Sequence, residues 1–158
     1  MGVKLSYKPD TDEIDITVVD TAFEDGDELE TDVIISLFSD ARATQEDLEE
    51  AGYPEGTDPR GWWMDTYPEV QGDAWGSKLW LLARALWDND ALANGKKWTE
   101  EALAHLVADG AARKVEVETS WLDSSSVMKI AIAIYQPGGN VRRFSYLWDA
   151  IKGVAESE

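Results

Sequence analysis

Residues 114–148 read KVEVETSWLDSSSVMKIAIAIYQPGGNVRRFSYLW, and their periodicity decides the fold. Val115, Val117, Thr119 and Trp121 alternate with Lys114, Glu116, Glu118 and Ser120, and Met128, Ile130, Ile132 and Ile134 share one side of Val127 to Gln136. Successive side chains of an extended chain point to opposite faces, so each run predicts a strand with one buried face. Pro137-Gly138-Gly139-Asn140 turns the chain tightly into Val141 to Trp148, where Arg142, Phe144, Tyr146 and Trp148 alternate with Val141, Arg143, Ser145 and Leu147. The C-terminal third is therefore expected as a three-stranded antiparallel meander.

Working outward, the preceding segments read as helices. Thr99 to Asp109 turns Ala102, Leu103, Leu106 and Val107 inward, with Thr99 as cap and Gly110 where a left-handed terminating residue belongs. Ser77 to Trp87 carries Leu79, Leu82, Ala83 and Leu86 on one stripe, with Trp80 and Trp87 beside it as core residues and Ser77 as N-cap. Leu29, Val33, Leu37 and Phe38 recur at helical spacing behind Asp27 or Thr31; the apolar run Val33 to Phe38 also fits a buried strand, and the helix is preferred. Ile14 to Val19 alternates as a short strand. Helices first and a meander last, without repeating β-α-β order, predict an α+β domain with helices packed on one face of the sheet. Residues 1–158 fit a single domain, with 155–158 as a loose tail.

Between the first helix and Ser77 the chain changes character. Residues 39–76 hold Gly52, Pro54, Gly56, Pro59, Gly61, Pro68, Gly72 and Gly76, which leaves room for one short helix around Thr44 to Ala51. Loops of this length in compact domains are usually functional or disordered, and the aromatic content predicts an ordered, tryptophan-pinned excursion. Gly61 to Arg84, GWWMDTYPEVQGDAWGSKLWLLAR, holds four of the eight tryptophans. Trp is enriched where one surface grips another, so Arg60, Trp62, Trp63, Asp65 and Trp75 are the expected contact residues of this loop. Trp62 and Trp63 are adjacent; in an extended segment one packs inward while its neighbour faces outward.

Thirty-two acids against fourteen bases give a net charge of −18, which disfavours nucleic acid and anionic membranes and favours basic partners. No cysteine is present, so disulfides and thiolate metal sites are excluded. His105, the one histidine, lies mid-helix and reads as structural, and no metal or cofactor is assigned. Acid pairs are too abundant to nominate a catalytic two; Asp65 and Asp73 are the nearest to one, and capping of a Gly-rich turn explains them better. No apolar stretch is long enough to span a bilayer, and the N-terminus lacks a signal-peptide core.

The order LETDVIISLFSDAR, DPRGWWMD, GSKLWLLAR, TEEALAHLVADGAARKVEVE and RRFSYLWD, over roughly residues 12 to 150, resembles the Mu-like phage baseplate proteins. These are similar in turn to the sheath-initiator and baseplate wedge protein of T-even phages. The resemblance implies a non-catalytic part of a contractile tail, lying between hub or spike and wedge proteins and starting the sheath. It further implies several copies around a six-fold axis, assembly in the host cytoplasm and residence in the virion, with a monomer possible in isolation. The lysozyme-like label attached to related proteins finds no matching acid in this chain. An exposed meander edge can accept a partner strand, and Val141 to Trp148, with Arg142, Arg143, Phe144 and Tyr146, is the expected edge because it ends the meander. The two arginines would equally serve to guard that edge from aggregation. Two competing readings are a small peptidoglycan-cleaving muramidase and an acidic nucleic-acid mimic that inhibits a host protein; the mixing of Lys, Glu and Arg along the strands speaks against the mimic.

Overall fold

A computed structural model describes residues 2–8, 13–19, 27–61, 76–84, 88–122, 127–149 and 154–157. Strands β1 (Gly2–Lys8) and β2 (Glu13–Val19) form an antiparallel hairpin. Helices α1 (Asp27–Phe38) and α2 (Gln45–Glu50), a 3-10 helix over Leu79–Arg84 and helix α3 (Asn89–Ala108) follow. Strands β3 (Lys114–Trp121), β4 (Val127–Tyr135), β5 (Val141–Asp149) and β6 (Val154–Ser157) complete the chain in one antiparallel sheet, ordered β3-β4-β5-β6. The α+β class is as expected, and the meander is present with a fourth strand added. The segment expected as a loose tail is largely that strand: Ala155, Glu156 and Ser157 pair with Trp148, Leu147 and Tyr146. As a result β5 does not end the sheet.

Register explains why one face of the sheet is the core. Val117, Ile132 and Phe144 lie side by side across the three strands, as do Thr119, Ile130 and Tyr146, and Trp121, Met128 and Trp148. Met128, Ile130, Ile132 and Ile134 are between 0% and 2% exposed. Helix α1 turns Leu29, Val33, Ile34 and Leu37 into the same core, and Phe38 meets Tyr146 edge-to-face at 5.9 Å. That burial, with a smaller contribution from Glu30, pushes the Tyr146 phenol well above its ordinary pKa.

Helix α3 corrects the sequence reading. It begins ten residues before the expected Thr99 cap, with Asp88 as N-cap accepting from the Ala91 N–H at 2.9 Å. Thr99 is wholly buried in its interior, and its hydroxyl donates to the Gly95 carbonyl at 2.7 Å. A threonine can bond back to the carbonyl one turn earlier as readily as it caps, so the residue type alone misplaces the start. Gly95 lets α3 press on β4: a Cβ there would stand 2.6 Å from the Met128 sulfur. Val107, expected inward, is 44% exposed, whereas Ala102, Leu103 and Leu106 are buried. Gly110 does take the left-handed conformation, φ +80°.

The helix expected over Ser77 to Trp87 contracts to the 3-10 helix Leu79–Arg84 within the described residues; Trp87 lies outside them. Ser77 is no N-cap. It is buried, its hydroxyl donates to the Leu37 carbonyl at 2.9 Å, and it forms a parallel bridge with Asp40. The short helix near Thr44 is confirmed as α2, closed by a capping box in which Thr44 Oγ1 accepts from the Asp47 N–H and Asp47 accepts from the Thr44 N–H.

Candidate partner-binding surface

Both ends of the tryptophan-rich segment are fastened to residues 39–43. On one side Ala43 donates to the Pro59 carbonyl at 2.9 Å. On the other, Ser77 donates to the Ser39 carbonyl at 2.9 Å and Ala41 to the Ser77 carbonyl at 3.0 Å. Gly76 makes the second closure possible, because at φ +107° a Cβ would sit 2.6 Å from the Ser39 oxygen and 2.8 Å from the Ala41 nitrogen. Pro59 and Ser77 are thus both held on one short segment, residues 39–43.

Trp80 fills the space beneath this segment. It is 3% exposed, its indole N–H donates to the Ala41 carbonyl at 2.9 Å, and Tyr53 packs edge-to-face on it at 5.7 Å. Arg60 closes the other side. Its guanidinium lies 4.4 Å from the Trp80 ring centre and donates to Asp40 at 2.8 Å, while its own N–H donates to Asp58 Oδ1. The residue holds φ +57°, unusual for a side chain with a Cβ, and the Asp58 contact and Gly61 beside it accommodate the turn. Arg60, expected as a contact residue, is exposed while its guanidinium pairs with Asp40 and lies over Trp80. Trp62, Trp63, Asp65, Asp73 and Trp75 lie outside the described residues.

On β5 the expected contact residues fall on both faces. Arg142, Phe144 and Tyr146 share the core face: Tyr146 is 3% exposed, Phe144 is half-buried, and the Arg142 guanidinium stands 5.9 Å from the Phe144 ring. Val141, 39% exposed, and Arg143 lie on the outer face. That face carries a polar group missed in the sequence reading, although the Lys114/Glu116/Glu118 alternation signalled it. The Tyr135 hydroxyl donates to Glu116 at 2.8 Å and Lys114 pairs with the same carboxylate. The Lys114 bond, followed by the Tyr135 bond, holds the Glu116 carboxyl below its ordinary value. Glu116, Glu118, Lys129, Ala131, Ala133, Arg143 and Ser145 border a shallow concavity of about 410 Å³.

His105 has a serine and an aspartate for neighbours, yet not in the geometry of a hydrolase. Ser36 Oγ lies 2.8 Å from Nε2, is wholly buried, and donates its proton to the Asp32 carbonyl at 2.6 Å. The imidazole N–H is then the donor to Oγ, opposite to the direction a general base needs. Asp109 stands 3.7 Å from Nδ1. Among the described residues no three metal-ligating side chains cluster, and no helix is long and apolar enough to cross a membrane.

Fold and surface define an α+β domain with a helix-backed sheet and with Pro59 and Ser77 both tied to residues 39–43. The chain belongs to the phage protein GP46 family, whose model matches residues 29–141, from α1 to the first residue of β5, and it is a member of the Mu-like phage baseplate group. It is 36% identical over 121 residues to "Baseplate protein gp46" of Escherichia phage Mu, covering 76% of this chain and 78% of that protein. It is 34% identical over 120 residues to "Mu-like prophage FluMu protein gp46" of Haemophilus influenzae, covering 76% and 77%.

Proposed function

We propose that this chain is a non-catalytic structural subunit of a contractile-tail baseplate, joining hub and wedge neighbours and starting the sheath through strand addition. The observation that carries the reading is the family match, which runs over residues 29–141 and takes in strands β3 and β4, together with a relative named as a baseplate protein. The subunit assembles in the host cytoplasm, resides in the virion and occurs in several copies around the tail axis. Trp62, Trp63, Asp65 and Trp75 meet a neighbouring subunit, with Arg60 setting the posture of the loop from its base. Val141 and Arg143 supply a second contact, positioned by Arg142, Phe144 and Tyr146 on the opposite face of the same strand. A large aromatic side chain at the buried centre of such a contact is worth about 2 kcal/mol or more.

Co-expression with the neighbouring baseplate proteins, followed by pull-down, tests this. A stable complex is expected, weakened by Trp62→Ala with Trp63→Ala while circular dichroism stays native. No complex with any tail protein, together with lysis of purified cell walls or tight binding to a basic host protein, would favour the muramidase or the acidic mimic instead.

A further inference from the structure

We infer that β3 is the edge at which a partner strand is added, and that it takes an extended segment carrying Lys or Arg at every second position. This rests on the reading that strand addition joins the subunit to its neighbours.

The phase of the ladder makes β3 available. The Leu122 N–H donates to the Val127 carbonyl at 2.9 Å, and the register continues as Ser120↔Lys129, Glu118↔Ala131 and Glu116↔Ala133. In an antiparallel pair the bonded residues alternate, so even-numbered residues of β3 bond to β4. Val115, Val117, Thr119 and Trp121 therefore aim their N–H and C=O groups away from the sheet, and no further strand lies beyond β3 among the described residues. By contrast, β5 is covered by β6 along Tyr146 to Asp149.

Natural edges are normally guarded by proline, bulges or lysine. Here the pairing runs unbroken for eight residues without proline, and the one lysine, Lys114, is engaged by Glu116. The core side of the edge is also incompletely covered. Ile134, Ile130 and Met128 on β4 are at most 1% exposed, yet their β3 partners Val115, Thr119 and Trp121 are only half-buried. An added strand would cover the remainder with its own apolar residues.

Charge selects the occupant. Glu116 and Glu118 occupy the opposite face of β3; Glu116 already holds Lys114 and the Tyr135 hydroxyl, whereas Glu118 is exposed without an ion pair among the described residues, and the chain carries −18. Side chains two apart on an added strand share one face, so alternating basic residues fall beside these carboxylates while those between them fall on the apolar side. Antiparallel pairing of β3 with a second copy centred on Val117 would set Glu116 against Glu118 of the other copy, which disfavours that register.

The test is a 15N-heteronuclear titration of the full chain with the peptide acetyl-KVKVKVK-amide, its Glu-for-Lys counterpart, and a form N-methylated along one edge. Amide shifts at Val115, Val117, Thr119 and Trp121 are expected with the first peptide only, and Glu118→Lys, an exposed change, should weaken binding by up to about fivefold. Shifts confined to Val141 and Arg143 would overturn the assignment to β3 and leave strand addition standing. Equal binding of the N-methylated peptide, or no shift on either edge, would overturn strand addition here, with pull-down of baseplate neighbours deciding separately whether the structural role survives. Equal binding of the acidic peptide would overturn the charge preference.

Discussion

Arg60 joins an expected contact role to ties within the chain, and its side chain stays about half exposed. Its ion pair with Asp40 is half-exposed and contributes at most about 1 kcal/mol, and its contact over Trp80 adds about 0.5–1 kcal/mol. The left-handed backbone at φ +57° works against these gains in any residue with a Cβ. Arg60→Ala is therefore expected to destabilise by about 1 kcal/mol in urea unfolding, and Arg60→Gly by less, because glycine recovers the backbone cost. If both cost the same, the backbone carries no strain. Asp32 offers the opposite sign. Partial burial, opposed by His105 and reinforced by Glu28 and Asp109, raises its carboxyl above the ordinary value. A raised carboxyl binds its proton more tightly in the fold, so the charged form weakens the native state above the folded pKa, and the penalty vanishes below the usual value of about 3.9. Asp32→Asn should raise the Tm slightly at about pH 7, solvent screening keeping the gain small, and leave it unchanged at about pH 3. A lowered Tm at neutral pH would mean that the attraction of His105 outweighs burial.

Among the elements, the loop base is the one whose geometry depends on a single atom. Gly76→Ala would drive a Cβ into backbone atoms of residues 39–41 at a φ disfavoured for L-residues, and is expected to cost about 2 kcal/mol or more. Gly110→Ala has the same backbone problem at φ +80° with nothing within 4 Å, so about 1 kcal/mol is expected there. Thermal unfolding of the pair separates collision from conformation. Equal losses would show that segment 39–41 yields to the methyl group. Gly76 also marks the limit of what was legible in the sequence. The meander was readable because its period of two runs for eight or nine residues with a matching turn. Helix α2 was readable because the surrounding Gly and Pro residues leave room for one short helix there. The loop base was not, since Ser77 meets Leu37 and Asp40 across a large separation in sequence and its hydroxyl looks the same as a cap. Strand β6 was hidden for a related reason: four residues beside a polar terminus carry too short a period to read, and pairing with β5 makes them a strand. Of the expected contact surface, the sequence indicated β5 by its order in the meander, while the vacancy of β3 is a property of the whole sheet order.

For the whole molecule, charge sets folding and assembly against each other. A net −18 over 158 residues repels itself, and among the described residues Arg60 with Asp40, Lys78 with Asp47 and Lys114 with Glu116 oppose it. Exposed pairs contribute about 0–1 kcal/mol each, and those of Arg60 and Lys114 are largely exposed, so repulsion dominates the salt response. Between about 20 mM and 0.5 M NaCl the screening length shrinks from roughly 20 Å to roughly 4 Å, shorter than most separations between acids on the surface. Thermal unfolding near pH 7 should therefore show a Tm that rises with salt; a fall would place the ion pairs above the repulsion. Association with a basic partner draws on the same field with the opposite sign, because the acids that repel one another within the chain attract that partner. Binding to the basic strand peptide, followed over the same salt series, should weaken while the fold becomes more stable. That divergence separates the two roles of the charge: binding that follows the Tm upward would mean that the acids serve only to keep the unassembled subunit apart from its copies, and that apolar contact alone holds the partner.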